Sequence, residues 1–122
     1  MSAPKVTPRV RQIVLERDLF SCARCGLYIG PFTPCSVHHR RPRGAGGSKR
    51  PSTNLPANLI LLCGTGVTGC HGWAESNREL AREAGYLLTQ QQHPDQEAVF
   101  THRGWMLLDD EGGFVIVDRV TP

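Results

Sequence analysis

Four cysteines stand in two pairs, Cys22-x2-Cys25 and Cys63-x6-Cys70, with His38, His39 and His71 beside them in the chain. Two turn-borne pairs that converge supply four thiolates, the donor set of a tetrahedral structural zinc. The second gap exceeds the roughly two to four residues usual between zinc cysteines. Gly64, Gly66 and Gly69 make that longer excursion geometrically easy. Disulfide bonding fits less well, given five cysteines and no apolar leader after Met1. A redox Cys-x-x-Cys requires a βαβ context that the residues around Cys22 lack. Cys35 is left over and reads as a single buried thiol without assigned chemistry.

The histidines offer a second, different donor set. Adjacent residues on a strand face opposite ways, so His38 and His39 are expected to do different jobs. One can meet a second metal together with His71 while the other faces a substrate. Glu75 follows His71 by four residues, on the same helical face, and can add an oxygen ligand. His93 and His102 lie outside this grouping and read as packing or surface residues.

These residues need elements to hold them. Thr7-Pro8 has the form of an N-cap followed by proline at the first helical position, and predicts a helix over residues 8–18. A tight turn is expected at Cys22–Gly26, a strand at 36–40 and an irregular basic loop at 42–57. The apolar run from Asn58 to Cys63 predicts a turn entering a buried strand. A helix from residue 70 or 71 to Ala84 should end at Gly85, with Trp73, Leu80, Ala81 and Ala84 as its apolar face. Strands are expected at 86–89, 98–101, 105–108 and 114–117, the last two joined as a hairpin around residues 109–113, with Trp105 in the core. The expected class is α+β.

Length and charge narrow the function. The 122 residues suit a single domain, and 13 Gly with 9 Pro predict short elements around a modest core. No apolar run approaches the roughly 20 residues of a membrane span. Residues 1–50 carry ten Lys or Arg against two acids, a net +8; residues 51–122 carry four against nine, a net −5. A basic half beside an acidic half points to an anionic partner, nucleic acid being the usual one. The missing leader and the need for reduced thiols lead to an expectation of cytoplasmic residence.

Cys22-Ala-Arg-Cys25-Gly, Val37-His38-His39-Arg40, Gly46-Gly47, Asn58-Leu59, Leu62-Cys63 and Cys70-His71-Gly72 together resemble the zinc-stabilised HNH endonucleases, in particular the small free-standing enzymes of bacteriophages and prophages. The resemblance covers roughly residues 9–80. It implies a ββα-metal core of the His-Me finger type within about 9–84, braced by the four-cysteine zinc site, followed by a C-terminal β extension over about 86–118. His39 would be the general base, His38 and His71 would be ligands of one catalytic divalent ion, and Asn58 would brace the loop and help orient the base. Glu75 as a third ligand comes from helical spacing alone. Many relatives carry Asp where this chain has His38, and their second cysteine gap is two residues rather than six.

The implied reaction is hydrolysis of DNA phosphodiesters with one Mg²⁺ or Mn²⁺, leaving 5′ phosphate and 3′ hydroxyl ends; imidazole ligands also suit Zn²⁺ and Ni²⁺. Arg40, Arg41, Arg43, Lys49 and Arg50 would track the DNA backbone. Phage packaging proteins would be the partners in a genome-processing role. The rival reading is a zinc-stabilised nucleic-acid-binding module without catalysis, and a third is a thiol oxidoreductase.

Overall fold

Helix α1, Pro8–Arg17, starts where the capping signal places it: Pro8 takes the first turn and the Thr7 hydroxyl accepts from the Val10 N–H at 3.1 Å. The computed structural model describes residues 5–43 and 50–119. Val14, on the inner face of α1, is fully buried. At the end of the helix the buried Arg17 and Asp18 form an ion pair at 2.9 Å. Arg17 also donates to the Pro56 and Leu59 carbonyls, while Asp18 accepts from the Leu61 N–H. Each charge therefore keeps hydrogen-bond partners on leaving water, and the pair ties the end of α1 to residues 56–61.

The chain then doubles back through the first cysteine turn. Cys22 N–H donates to the Leu27 carbonyl and Gly26 N–H to the Cys22 carbonyl, both at 2.8 Å. Strand β1, Cys35–His39, pairs antiparallel with β2, Leu59–Cys63, in a two-stranded sheet. All five β2 residues are buried, as expected for an apolar run without alternation. Two 3-10 turns, Pro51–Asn54 and Pro56–Asn58, lead into β2 where the sequence predicts an irregular loop. Helix α2, Gly69–Ser76, follows directly, so the order strand, strand, helix runs from β1 to α2.

The single helix expected up to Ala84 is two: α2, and α3 over Arg78–Glu83, separated by Asn77 at φ −126° and ψ 57°. The Asn77 side-chain amide donates to the Trp73 carbonyl at 3.1 Å, beside its own backbone N–H on the same acceptor at 2.8 Å. Asparagine in this way offers the helix an alternative to its ladder. After the break Leu80 lies 53% exposed, off the expected apolar face, while Ala81 and Ala84 are buried. Gly85 ends α3 at φ +87°, where a Cβ would collide with the Ala98 carbonyl.

Residues 86–89 do not form the expected strand. Tyr86, Leu87 and Leu88 are buried in succession, without the alternation of a sheet, and the Tyr86 and Leu87 N–H groups turn back to the Ala81 carbonyl of α3. Leu88 N–H donates to the Arg40 carbonyl at 2.7 Å. The remaining C-terminal strands appear where expected: β3 Val99–Thr101, β4 Gly104–Leu108 and β5 Phe114–Ile116 form an antiparallel sheet. Asp109 shapes the β4–β5 turn by accepting from the Glu111 and Gly113 N–H groups. Trp105 is 4% exposed and lies against Phe100. One contiguous apolar core reaches from Cys22 to Leu108. No described helix is long and apolar enough to cross a membrane.

Candidate metal centres and the histidine cleft

The four paired cysteines meet. One sulfur from each of Cys22, Cys25, Cys63 and Cys70 lies within 4.8 Å of the others, a donor set that can hold a metal ion such as zinc. Cys22 and Cys25 come from the turn after α1, Cys63 from the end of β2, and Cys70 from the first turn of α2. The long second gap closes as a tight loop. Gly64, at φ +88°, and Gly69, at φ +62°, reverse the chain, and Thr65 and Thr68 bond each other through backbone and hydroxyl groups. A Cβ on Gly64 would strike the Thr68 carbonyl, so glycine is required there by space as well as by backbone angle.

Hydrogen-bond donors surround the sulfurs. Cys70 N–H approaches the Cys63 sulfur at 3.4 Å, and Arg24 Nη1 approaches the Cys70 sulfur at 3.4 Å. Arg24 is held in place by the ring of Trp73, 3.7 Å below its guanidinium. Burial pushes the Cys22 thiol up, but N–H groups of Cys25, Cys63 and Arg24 more than offset it and leave this thiol below its ordinary range. That is the direction a thiolate ligand needs. Burial dominates at Cys70 and raises its thiol well above the usual range despite Arg24.

A second cluster begins at the next residue of α2, His71. Ligand atoms of His38, His71 and Glu75 also fall within 4.8 Å of one another. His38 is 5% exposed and its Nε2–H donates to the Tyr86 carbonyl at 2.7 Å, which leaves Nδ1 with the free lone pair. Metal-binding imidazoles are commonly fixed by this kind of bond from the second nitrogen to a carbonyl. Burial, opposed by the Tyr86 carbonyl and joined by the neighbouring His71, pulls the His38 pKa down to about 4, so the ring is neutral at pH 7. His71 Nδ1 is buried without a hydrogen-bond partner, and its Nε2 is 3.9 Å from Glu75 Oε1. The two rings sit edge to face at 5.2 Å. An orphaned imidazole nitrogen, a neutral imidazole with a free lone pair and a carboxylate form a donor set that fits a divalent cation.

His38, His39, His71 and Glu75 border one cleft of about 400 Å³, together with Arg43 and Arg78. The two neighbouring strand histidines keep different partners, as expected, yet line the same opening. His39 is half-buried, and its Nε2 bonds Asn54 Oδ1 at 2.8 Å. With Nε2 donating, Nδ1 carries the basic lone pair.

Asn54, in the first 3-10 turn, was not among the residues singled out from the sequence. Asn58 was, and its amide is fully engaged elsewhere: Oδ1 accepts from Arg41 N–H at 2.6 Å, and Nδ2 donates to the Arg41 and Thr53 carbonyls. Asn58 ties Arg41, after β1, to Thr53, while the contact to the His39 ring is made by Asn54. No sequence spacing marks that contact, because the 3-10 turn creates it.

The expected DNA-tracking cations need correction. Arg40 is completely buried and donates to four backbone carbonyls, of Gly85, Ala57, Pro94 and Glu97. Arg41 is 2% exposed and reaches the Gln92 carbonyl and the Ser52 hydroxyl. Both bind the protein's own loops and present no charge to a polyanion. Arg50 is exposed and donates to the Gln90 carbonyl, Arg43 lines the cleft, and Lys49, with Gly46 and Gly47, lies outside the described residues. Cys35 is half-buried rather than buried. Glu75 also accepts from Arg78 Nη1 at 3.1 Å, a cation of the cleft that sequence reasoning passed over.

Comparison with family models, with curated proteins and with solved structures finds no match to the chain.

Proposed function

We propose that this chain is a metal-dependent DNA endonuclease of the HNH type, its β1–β2–α2 unit forming a ββα-metal core. One observation carries the reading: beside the sulfur cluster stands a separate cleft where His38, His71 and Glu75 converge and His39 is held by Asn54. A brace alone requires only the cysteines. A divalent cation held by His38, His71 and Glu75 would neutralise the scissile phosphate and the departing 3′ oxygen.

The chain's own residues supply the rest. Asn54 fixes the His39 ring with Nε2–H donating, so Nδ1 takes the proton of the attacking water. Tyr86 likewise fixes His38 with Nε2–H donating, which leaves Nδ1 free for ligation. Arg78 and Arg43, at the cleft, meet phosphate oxygens and position the backbone without reading bases. The four cysteines, outside the cleft, hold β2 and α2 against the first turn, and so hold His71 against His38.

The test is cleavage of a supercoiled plasmid with Mg²⁺, Mn²⁺ or Ni²⁺, with an EDTA control, run beside His39→Ala. The expected result is metal-dependent nicking or linearisation that falls by about 10²–10⁴-fold in the variant, with fold and zinc content retained. Equal cleavage by the variant would overturn the base assignment. DNA binding without cleavage under every metal would favour the non-catalytic module.

A further inference from the structure

Cys35 stands outside the sulfur quartet, and the fold sets it directly across from a member of it. In the antiparallel pairing of β1 with β2, Cys35 is opposite Cys63. The ladder bonds Gly64 N–H to the Pro34 carbonyl and Arg40 N–H to the Asn58 carbonyl, each at 2.8 Å. Hydrogen-bonded pairs alternate with non-hydrogen-bonded ones, so the even positions 34 and 40 place Cys35 and Cys63 in a non-hydrogen-bonded pair. Cα atoms in such a pair are about 4.5 Å apart and their side chains share one face. That distance lies inside the roughly 4.4–6.8 Å span that disulfides use. Access differs between the two: Cys35 is half-buried and open to a small oxidant, while Cys63 is 7% exposed.

We propose that Cys35 and Cys63 form a redox modification site, in which a peroxide links them across the sheet and withdraws Cys63 from the metal-binding quartet. The Cys35 sulfur, as thiolate, attacks one peroxide oxygen; the O–O bond breaks, and the departing hydroxide takes a proton to leave as water. Cys35 is then a sulfenic acid. The Cys63 thiolate leaves the metal and attacks the Cys35 sulfur, the S–O bond breaks, and the second hydroxide takes a proton from solvent to leave as water. Two thiolates lose two electrons, and one peroxide with two solvent protons becomes two waters. Three sulfurs remain in the quartet, too few for a closed tetrahedral site. The site rests on the quartet holding zinc and is independent of the nuclease reading.

The experiment starts from the reduced 122-residue chain with its zinc content measured. Hydrogen peroxide is then titrated, zinc release is followed with a chromogenic chelator, and disulfides are mapped by non-reducing peptide mass spectrometry. The expected result is one zinc per chain at the start, a Cys35–Cys63 link growing in step with zinc release, and recovery on adding thiol reductant and zinc. Cys35→Ser should begin zinc-loaded and need about tenfold more peroxide for half release. Zinc-loaded protein whose release tracks a Cys22–Cys25 link, or a Cys35→Ser protein as sensitive as wild type, would overturn the role of Cys35. A chain that carries no zinc before oxidation would overturn the quartet and the switch with it.

Discussion

His38 and His39 are chemically identical side chains one position apart, and their hydrogen bonds separate them. His38 gives Nε2–H to the Tyr86 carbonyl in a buried setting; His39 meets Asn54 at the rim of the cleft. In the proposed reaction, Asn54→Ala should lower kcat by about 10–100-fold, the usual cost of losing a group that orients an imidazole, with KM little changed. An unchanged kcat would remove Asn54 from the site. His38 makes a pH prediction. Its folded pKa lies near 4 against an ordinary 6.5, so between these values the unfolded chain takes up a proton that the folded chain does not. Stability should therefore be complete above pH 6.5 and fall as pH drops towards 4, by up to about 3 kcal/mol. In buffer without added divalent ions, urea midpoints of wild type and His38→Gln should differ by an amount that changes across that window. A constant difference from pH 7 to 4 would contradict it.

At the scale of elements, the loop between β2 and α2 matters most. Cys63 closes a strand and Cys70 opens a helix, and the six intervening residues return the chain within ligand distance only because Gly64 and Gly69 take left-handed angles. Gly64→Ala should cost about 1–3 kcal/mol from the backbone angle alone, and more from the collision with the Thr68 carbonyl. The expected readout is a lower thermal midpoint together with faster zinc loss to a chelator. A variant that keeps both would show that the loop has room to relax. The break at Asn77 has a positional consequence too: α2 ends soon after Glu75, and Arg78, at the start of α3, reaches back to that carboxylate.

Across the whole molecule, the arginines divide into structural and surface groups. Arg40 gathers four carbonyls from the segments around Ala57, Gly85, Pro94 and Glu97, and so joins the β2 entry to the C-terminal part of the chain. Arg40→Leu would leave those acceptors buried without a donor, at about 1–3 kcal/mol for each group left unsatisfied, and should fail to fold or melt far below wild type. Arg78→Ala should melt near wild type and, under the proposed DNA-binding role, reduce the slope of log K for DNA against log salt by about 1. A stable Arg40→Leu protein with a reduced salt slope would reverse the two assignments.

Much of this arrangement was legible in the residues themselves. Cysteine spacing, the cap at Thr7-Pro8, the unbroken apolar run of β2, Gly85 and the Asp109 turn are local signals, and each names an element or a donor set without reference to distant parts of the chain. Local signals were weaker where the competitor was also local but polar, as at Asn77, where a side-chain amide interrupts a helix whose apolar spacing continues. They failed where the deciding partner lies far along the chain. Arg40 and Arg41 look like surface cations until the carbonyls that surround them are assembled. Residues 86–89 look like a strand until Ala81 and Arg40 take up the backbone N–H groups of residues 86–88. Asn54 gains its role only when a 3-10 turn lifts it to the His39 ring, and Cys35 gains a neighbour only through the sheet register. Ligand type and spacing are properties of the chain, whereas burial, hydrogen-bond partners and proximity belong to the folded molecule, because they depend on which distant segments share the same space.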